Sequence, residues 1–385
     1  MIKSLKINVK VDTKDQSIQV STIYKFTKPL NNIVFYLNEG LNINTQNTKK
    51  GEVFLIENGY FTPKFRSRCK KYTASHSEKF DELYMQYEGK IEGWQNIIRK
   101  EMISLNLYSA WYPQFKEFDL QPYFKDIKVK VDQNYCVVGA FDQGVFWEIN
   151  SDNHDCNVIA LSGWKIVSSH KDLLDLNIFT NSKEDYEKSK EVEKEFSKII
   201  TYFHQNFCHI NDKKLMFNVV VNEFDTGGYN RQSLIVMEKL PENLISLVRF
   251  LGHEIAHSWS HGASTDSYED WMNETFAEMM GLLYIKNVYS NTDFIDLIKK
   301  FSDKSEEYTK IITDDGSRPD GVHYKGVKLM SNVCDIFGED IIIRIIKRFI
   351  LLENKTTENL LKTIEENISK EVRDYIEKSL YKDKL

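Results

Sequence analysis

The chain has 385 residues, 41% of them apolar and 13% aromatic, enough for two or three domains with sizeable cores and too apolar for a disordered protein. Its net charge is −6 and the basic residues sit among acidic ones, as in KEDYEKSKEVEKEF, which argues against nucleic acid or an anionic membrane as a main partner. Five scattered cysteines without a CxxC pair argue against a disulfide framework; with an N-terminus that alternates from the start and no apolar run of about 18 residues, a cytoplasmic protein is expected.

Residues 1–182 read as strands. Leu5, Ile7, Val9 and Val11 alternate with polar residues, as do Ile18, Val20, Thr22 and Tyr24. NNIVFYLNEGLNI, KDIKVKVD, YCVVGAF and LLDLNIFT repeat the pattern, with polar turns between. An N-terminal all-β domain over 1–182 is expected, with Trp111, Tyr112 and Pro113 in its core. The texture changes at Ser182, where Val192, Phe196, Ile199, Ile200 and Phe203 recur at helical spacing in a charged segment. KLMFNVVVNE then reads as an apolar strand, DTGGYNR as a tight turn and QSLIVME as a second strand. LPENLISLVRFLGHEIAHSW reads as a long helix with Pro241 in its first turn and Leu244, Leu247, Val248, Leu251 and Ile255 in one stripe. EDWMNETFAEMMGLLYIKNVY is another helix, and from Asn291 onward the chain reads as helical, GEDIIIRIIKRFILLE and TENLLKTIEEN included. The second domain, 183–385, is therefore mixed α+β with a helical lobe from about 291. No internal repeat, Walker loop, GxGxxG or GxSxG is present, so phosphate cradles and serine nucleophiles have no motif.

The chemistry concentrates between His253 and Glu274. On a helix, residues four apart face the same way, so His253 and His257 can present two imidazoles to one ion. Glu254 lies about 100° round the helix, beside the ion, where it can take a proton from an attacking water. Hydrolytic zinc needs three protein ligands and an open position, and Glu274 on the following helix can be the third. One zinc ion is expected. His261, also four from His257, is a rival ligand; beside Gly262 it reads more simply as a helix-end histidine. Glu278, one turn after Glu274, either accepts the second N–H of a ligand imidazole or is an exposed helix glutamate. The bland alternative for the whole motif is a surface His–His–Glu cluster without metal.

HEIAH followed by a WMNE helix resembles the gluzincin metallopeptidases, and among them the aminopeptidase-N-like group in a compact form without the long C-terminal helical domain. The likeness extends to VFYLNEGLNI, LYSAWYPQF, GGYNRQSLIVM and GVHYKGVKLM. It implies a multidomain fold: an N-terminal all-β, saddle-like domain, then a thermolysin-like α+β catalytic domain with a helical C-terminal lobe. It implies a zinc peptidase acting on peptide substrates, aminopeptidase-like. Gly227, Gly228 and Asn230 would cradle the substrate backbone. Three positions depart from the group. Sixteen residues separate His257 from Glu274 instead of about eighteen, a shortening that falls in the loop STDSYED. Asn230 stands where the group has the glutamate that binds the substrate's amino terminus; an amide supplies no countercharge, leaving Glu223 or Asp225 as other candidates. His323 stands where the group has the tyrosine that stabilises the oxyanion, with Tyr324 beside it; either can serve. Two alternatives remain open: an endopeptidase of the same fold, or a non-catalytic peptide-binding scaffold. Nothing in the sequence sets an oligomeric state.

Overall fold

The computed structural model describes residues 2–62, 67–93, 97–115, 123–152, 155–171, 173–208, 214–223, 228–231 and 233–384. The chain forms two compact units, one over Met1–Lys165 and one that takes up the chain from Ile166.

The first unit is built of strands: β1 (Ile2–Asp12), β2 (Ser17–Asn38), β3 (Leu41–Thr48), β4 (Gly51–Glu52), β5 (Phe54–Phe61), β6 (Cys69–Gly89), β7 (Ile97–Ile98), β8 (Met102–Leu105), β9 (Phe124–Lys130), β10 (Cys136–Val137), β11 (Phe141–Asp142), β12 (Trp147–Ser151) and β13 (Val158–Leu161). The larger sheet has the order β11-β12-β9-β1-β2-β6-β3-β4, with β5 also on β6; the smaller is β10-β13-β8-β7. Period-2 alternation sends Leu5, Ile7, Val9 and Val11 to one buried face. Ile18–Tyr24 and Ile33–Leu37, separate strands in the sequence reading, belong to the single long β2, whose register against β6 shifts between Lys25 and Asn32. Trp111 and Tyr112 are core residues, and the Trp111 indole donates to the Cys156 carbonyl at 3.0 Å.

The second unit begins with β14 (Lys165–Lys171) and β15 (Leu174–Thr180), then α1 (Lys183–Asn206), β16 (Leu215–Val221), β17 (Tyr229–Arg231) and β18 (Leu234–Met237). LLDLNIFT is β15, and it pairs in this unit's sheet, ordered β14-β15-β16-β18-β17, rather than with the strands before it. Pairing decides this assignment, and local alternation carries no information about the partner strand. β15, β16 and β18 run parallel, with α1 as the crossover between the first two. α1 starts at Ser182, whose hydroxyl accepts from the Asp185 N–H.

Among the described residues seven helices follow: α2 (Leu244–Ala256), α3 (Asp270–Val288), α4 (Asn291–Ser305), α5 (Val322–Phe337), α6 (Glu339–Leu351), α7 (Thr357–Asn367) and α8 (Lys370–Leu380). α2 starts later than Pro241 because the Asn243 side chain caps it, accepting from the Ser246 N–H. The segment 306–321, read as helical from the sequence, forms turns between α4 and α5. α2 and α3 approach closely through glycines: a Cβ on Gly252 would lie 2.9 Å from the Gly281 Cα. α5 meets α3 in the same way, since a Cβ on Gly326 would lie 1.6 Å from Thr275 Oγ1. These small residues set how near the side chains of three helices can come.

Candidate metal centre

The helix contacts bring three residues of the HEIAH…E pattern together. His253 Nε2 lies 3.2 Å from His257 Nε2, and Glu274 Oε2 lies 3.5 Å from the first and 3.8 Å from the second. Three donors at the corners of a tetrahedron with bonds of about 2.0–2.1 Å stand roughly 3.3 Å apart, so this spacing fits three zinc ligands with one corner open.

The outer partners fix which nitrogens face inward. His253 Nδ1 lies 3.0 Å from Glu278 Oε2, and His257 Nδ1 lies 3.2 Å from the Ser260 carbonyl oxygen. Both contacts call for an N–H on Nδ1, which leaves a lone pair on each Nε2. Two lone pairs then face each other at 3.2 Å with a carboxylate oxygen alongside. Either a proton or a cation between them relieves the clash. Without metal the proton is favoured: burial opposes charge on His253, but the contacts to Glu274 and Glu278 outweigh it and raise its pKa well above the ordinary value. For Glu274, burial also opposes charge, and the neighbouring His323 and His253 hold its pKa well below the usual carboxylate range.

Glu278 is buried, not exposed, and Arg249 Nη1 donates to its two oxygens at 3.1 and 3.2 Å. The loop before α3 is pinned. Asn273 Nδ2 donates to the Ala263 carbonyl, its Oδ1 accepts from the Ala263 N–H, and Arg318 Nε lies 2.6 Å from Asp270 Oδ2. These contacts hold the first turn of α3, and so Glu274, against the end of α2 despite the short loop. His261 is exposed beyond the end of α2, and it is not among the convergent donors.

Glu254 is buried at the wall of a cavity of about 230 Å³ lined also by Arg249, Phe250, His253, Glu278, Phe301, His323 and Tyr324. His323, in the first turn of α5, points Nδ1 at Glu274 Oε2 from 2.9 Å, so a second group of donors, His253, Glu274 and His323, shares the same carboxylate. The Nε2 pair has the spacing that tetrahedral bond geometry asks of two ligand corners, whereas His323 engages the carboxylate itself. Tyr324 stacks on Tyr308 with ring centroids 5.6 Å apart and tilts against Phe301 at the same separation. Asn230, in the short edge strand β17, donates from Nδ2 to the Glu254 carbonyl at 2.7 Å, one of the last four carbonyls of α2 that a helix leaves unpaired. Gly228 lies beside Phe250. Gly227 and Asp225 fall outside the described residues, and Glu223 is exposed. Sequence reasoning missed Arg249, although it sits one turn before His253 on the ligand face; extending the i, i+4 row backwards would have found it.

No protein-family model matches the sequence, and no curated protein matches it. Solved structures do. The whole chain aligns with 94% of an M1 zinc metallopeptidase from Deinococcus radiodurans, solved as a glutamate-to-alanine mutant bound to a Tyr-Ser-Ala substrate, at a TM-score of 0.73 and 12% identity. It aligns with 68% of leukotriene A4 hydrolase from Saccharomyces cerevisiae at a TM-score of 0.74 and 13% identity. The same yeast enzyme in complex with bestatin gives a TM-score of 0.74 and 14% identity. The fold is thus that of these enzymes: a large β-sheet N-terminal part and a helical C-terminal part. Among the described residues no helix is long and apolar enough to cross a membrane.

Proposed function

We propose that the chain is a zinc-dependent peptidase of the M1 type, with a saddle-like β domain and a thermolysin-like catalytic domain. The observation that carries this reading is the pair of Nε2 atoms facing each other beside the Glu274 carboxylate, each imidazole held by its Nδ1 partner. His253, His257 and Glu274 would hold one zinc ion. When bound, zinc polarises a carbonyl and lowers the pKa of water toward neutrality.

The chain's own residues supply the proton traffic. Glu254, on the cavity wall beside His253, takes the proton of the attacking water and returns it to the leaving amine. His323, exposed enough to meet substrate yet beside Glu274, donates to the developing oxyanion. Tyr324 is the poorer candidate because its ring is engaged by Tyr308 and Phe301.

Asn230 argues against a strict aminopeptidase. One N–H of its amide is tied to the end of α2, and its oxygen, the group that would face an ammonium, carries no countercharge. The reading is therefore a peptidase of aminopeptidase-like fold that does not require a free amino terminus. Two fluorogenic peptides of one sequence, one free and one N-acylated, test it with the zinc-loaded protein. Turnover of both is expected. Turnover of the free form alone would return the chain to aminopeptidase action through another acidic group such as Glu223, and turnover of neither would overturn the peptidase reading.

A further inference from the structure

Arg249 is the one fixed cation lining the cavity among the described residues. It lies four residues before His253 on α2, about 6 Å along the helix axis. Its side chain is one-third exposed, 33% against 3% for its partner Glu278. Only Nη1 is engaged, by the two oxygens of Glu278. Nε and Nη2 have no hydrogen-bond acceptor among the described residues, and together they form the edge of a guanidinium that grips a carboxylate with two parallel bonds. The guanidinium lies 5.2 Å over the Phe301 ring, which with Glu278 fixes its orientation in advance. Glu278 is itself held by His253 Nδ1, so the cation is anchored to the ligand shell rather than to a mobile surface group. Phe250, Phe301 and Tyr324 give the same cavity apolar walls.

We propose that Arg249 is a specificity residue that binds a substrate carboxylate one or two residues from the cleaved bond. The distance supports this: about 6 Å along α2 is the span of about two residues of extended chain. The peptidase would then recognise its substrates by a negative charge where the amine-binding glutamate of the resembled group is missing. The carboxylate can be the free C-terminus of a short peptide or the side chain of Asp or Glu. This inference rests on the peptidase reading only for its functional meaning; the binding itself stands apart from turnover.

The test uses tripeptides Ala-Leu-Ala and Ala-Glu-Ala, each with a free and an amidated C-terminus. Affinity for the zinc-loaded Glu254→Gln protein is measured by calorimetry, and KM and kcat with the wild type. A carboxylate is expected to lower Kd and KM by about tenfold, with kcat little changed, as one charge-assisted pair gives. If the free C-terminus is what counts, both amides weaken; if the side chain, amidated Ala-Glu-Ala still binds. Adding Arg249→Lys, which keeps the charge beside Glu278 but loses the fork, should cut the preference to about threefold or less. The double change Arg249→Met with Glu278→Gln leaves no unpaired buried charge and should abolish it. Equal affinity for acids and amides, no binding of either, or a preference that survives the double change overturns the inference. Loss of turnover with the carboxylate preference in binding intact would overturn the peptidase reading instead.

Discussion

The two halves of the candidate site are built differently. The metal half, His253, His257, Glu274 and Glu278, sits on α2, its C-cap and α3, where glycines let the two helices touch, and each side chain has a polar partner. The substrate half, Gly228 to Arg231 with the neighbouring cavity, rests on a three-residue edge strand tied to α2 by Asn230. The difference teaches where function can drift. A ligand shell whose members satisfy one another cannot change one residue cheaply, because breaking a buried charged pair costs about 3–5 kcal/mol. An edge strand can trade a carboxylate for an amide and keep its fold.

The largest effect should come from the metal half. Glu274→Gln should weaken zinc binding more than about 100-fold, beyond the loss of about 10- to 100-fold expected for an outer partner such as Glu278→Gln. Competition with a chromophoric chelator measures both. Equal losses would erase the distinction between ligand and outer partner.

The pH dependence sharpens the same half. His253, raised in the metal-free protein, adds stability that is fully present below its unfolded pKa of about 6.5 and is lost as pH rises through the higher folded value. Glu274, lowered, adds stability that is lost only as pH falls through its depressed value. Zinc must displace the His253 proton, so the gain in Tm on adding zinc should widen from about pH 6 to about pH 8. Thermal melts with zinc and with chelator give the two curves. A gap that stays constant or narrows would remove the proton from the account.

The smallest effect belongs to the substrate half. Asn230→Ala removes one hydrogen bond to the end of α2, worth about 1 kcal/mol, and should leave zinc affinity and the ratio of free to acylated peptide cleavage unchanged. A selective loss on the free peptide would make Asn230 an amine-binding residue after all.

The parts legible in the sequence are those that local periodicity encodes. The i, i+4 spacing of His253 and His257 and the stripe of Leu247, Val248, Leu251 and Ile255 describe a buried ligand helix without reference to anything else. What escaped depends on contacts between distant segments. The role of Asn230 requires knowing that β17 passes the end of α2. The choice between His323 and Tyr324 turns on Tyr308, in a segment the sequence reading took for helix. β15 alternates like the strands before it, and only its pairing with β16 reveals its sheet.

The central claim is hydrolysis by a metal site with Glu254 as its base. The direct measurement compares wild type and Glu254→Gln for zinc content and peptide cleavage in the same preparation. The account predicts one zinc per chain in both, with cleavage in the variant lower by about 100- to 10,000-fold. A variant that binds zinc and cleaves at the wild-type rate would contradict it.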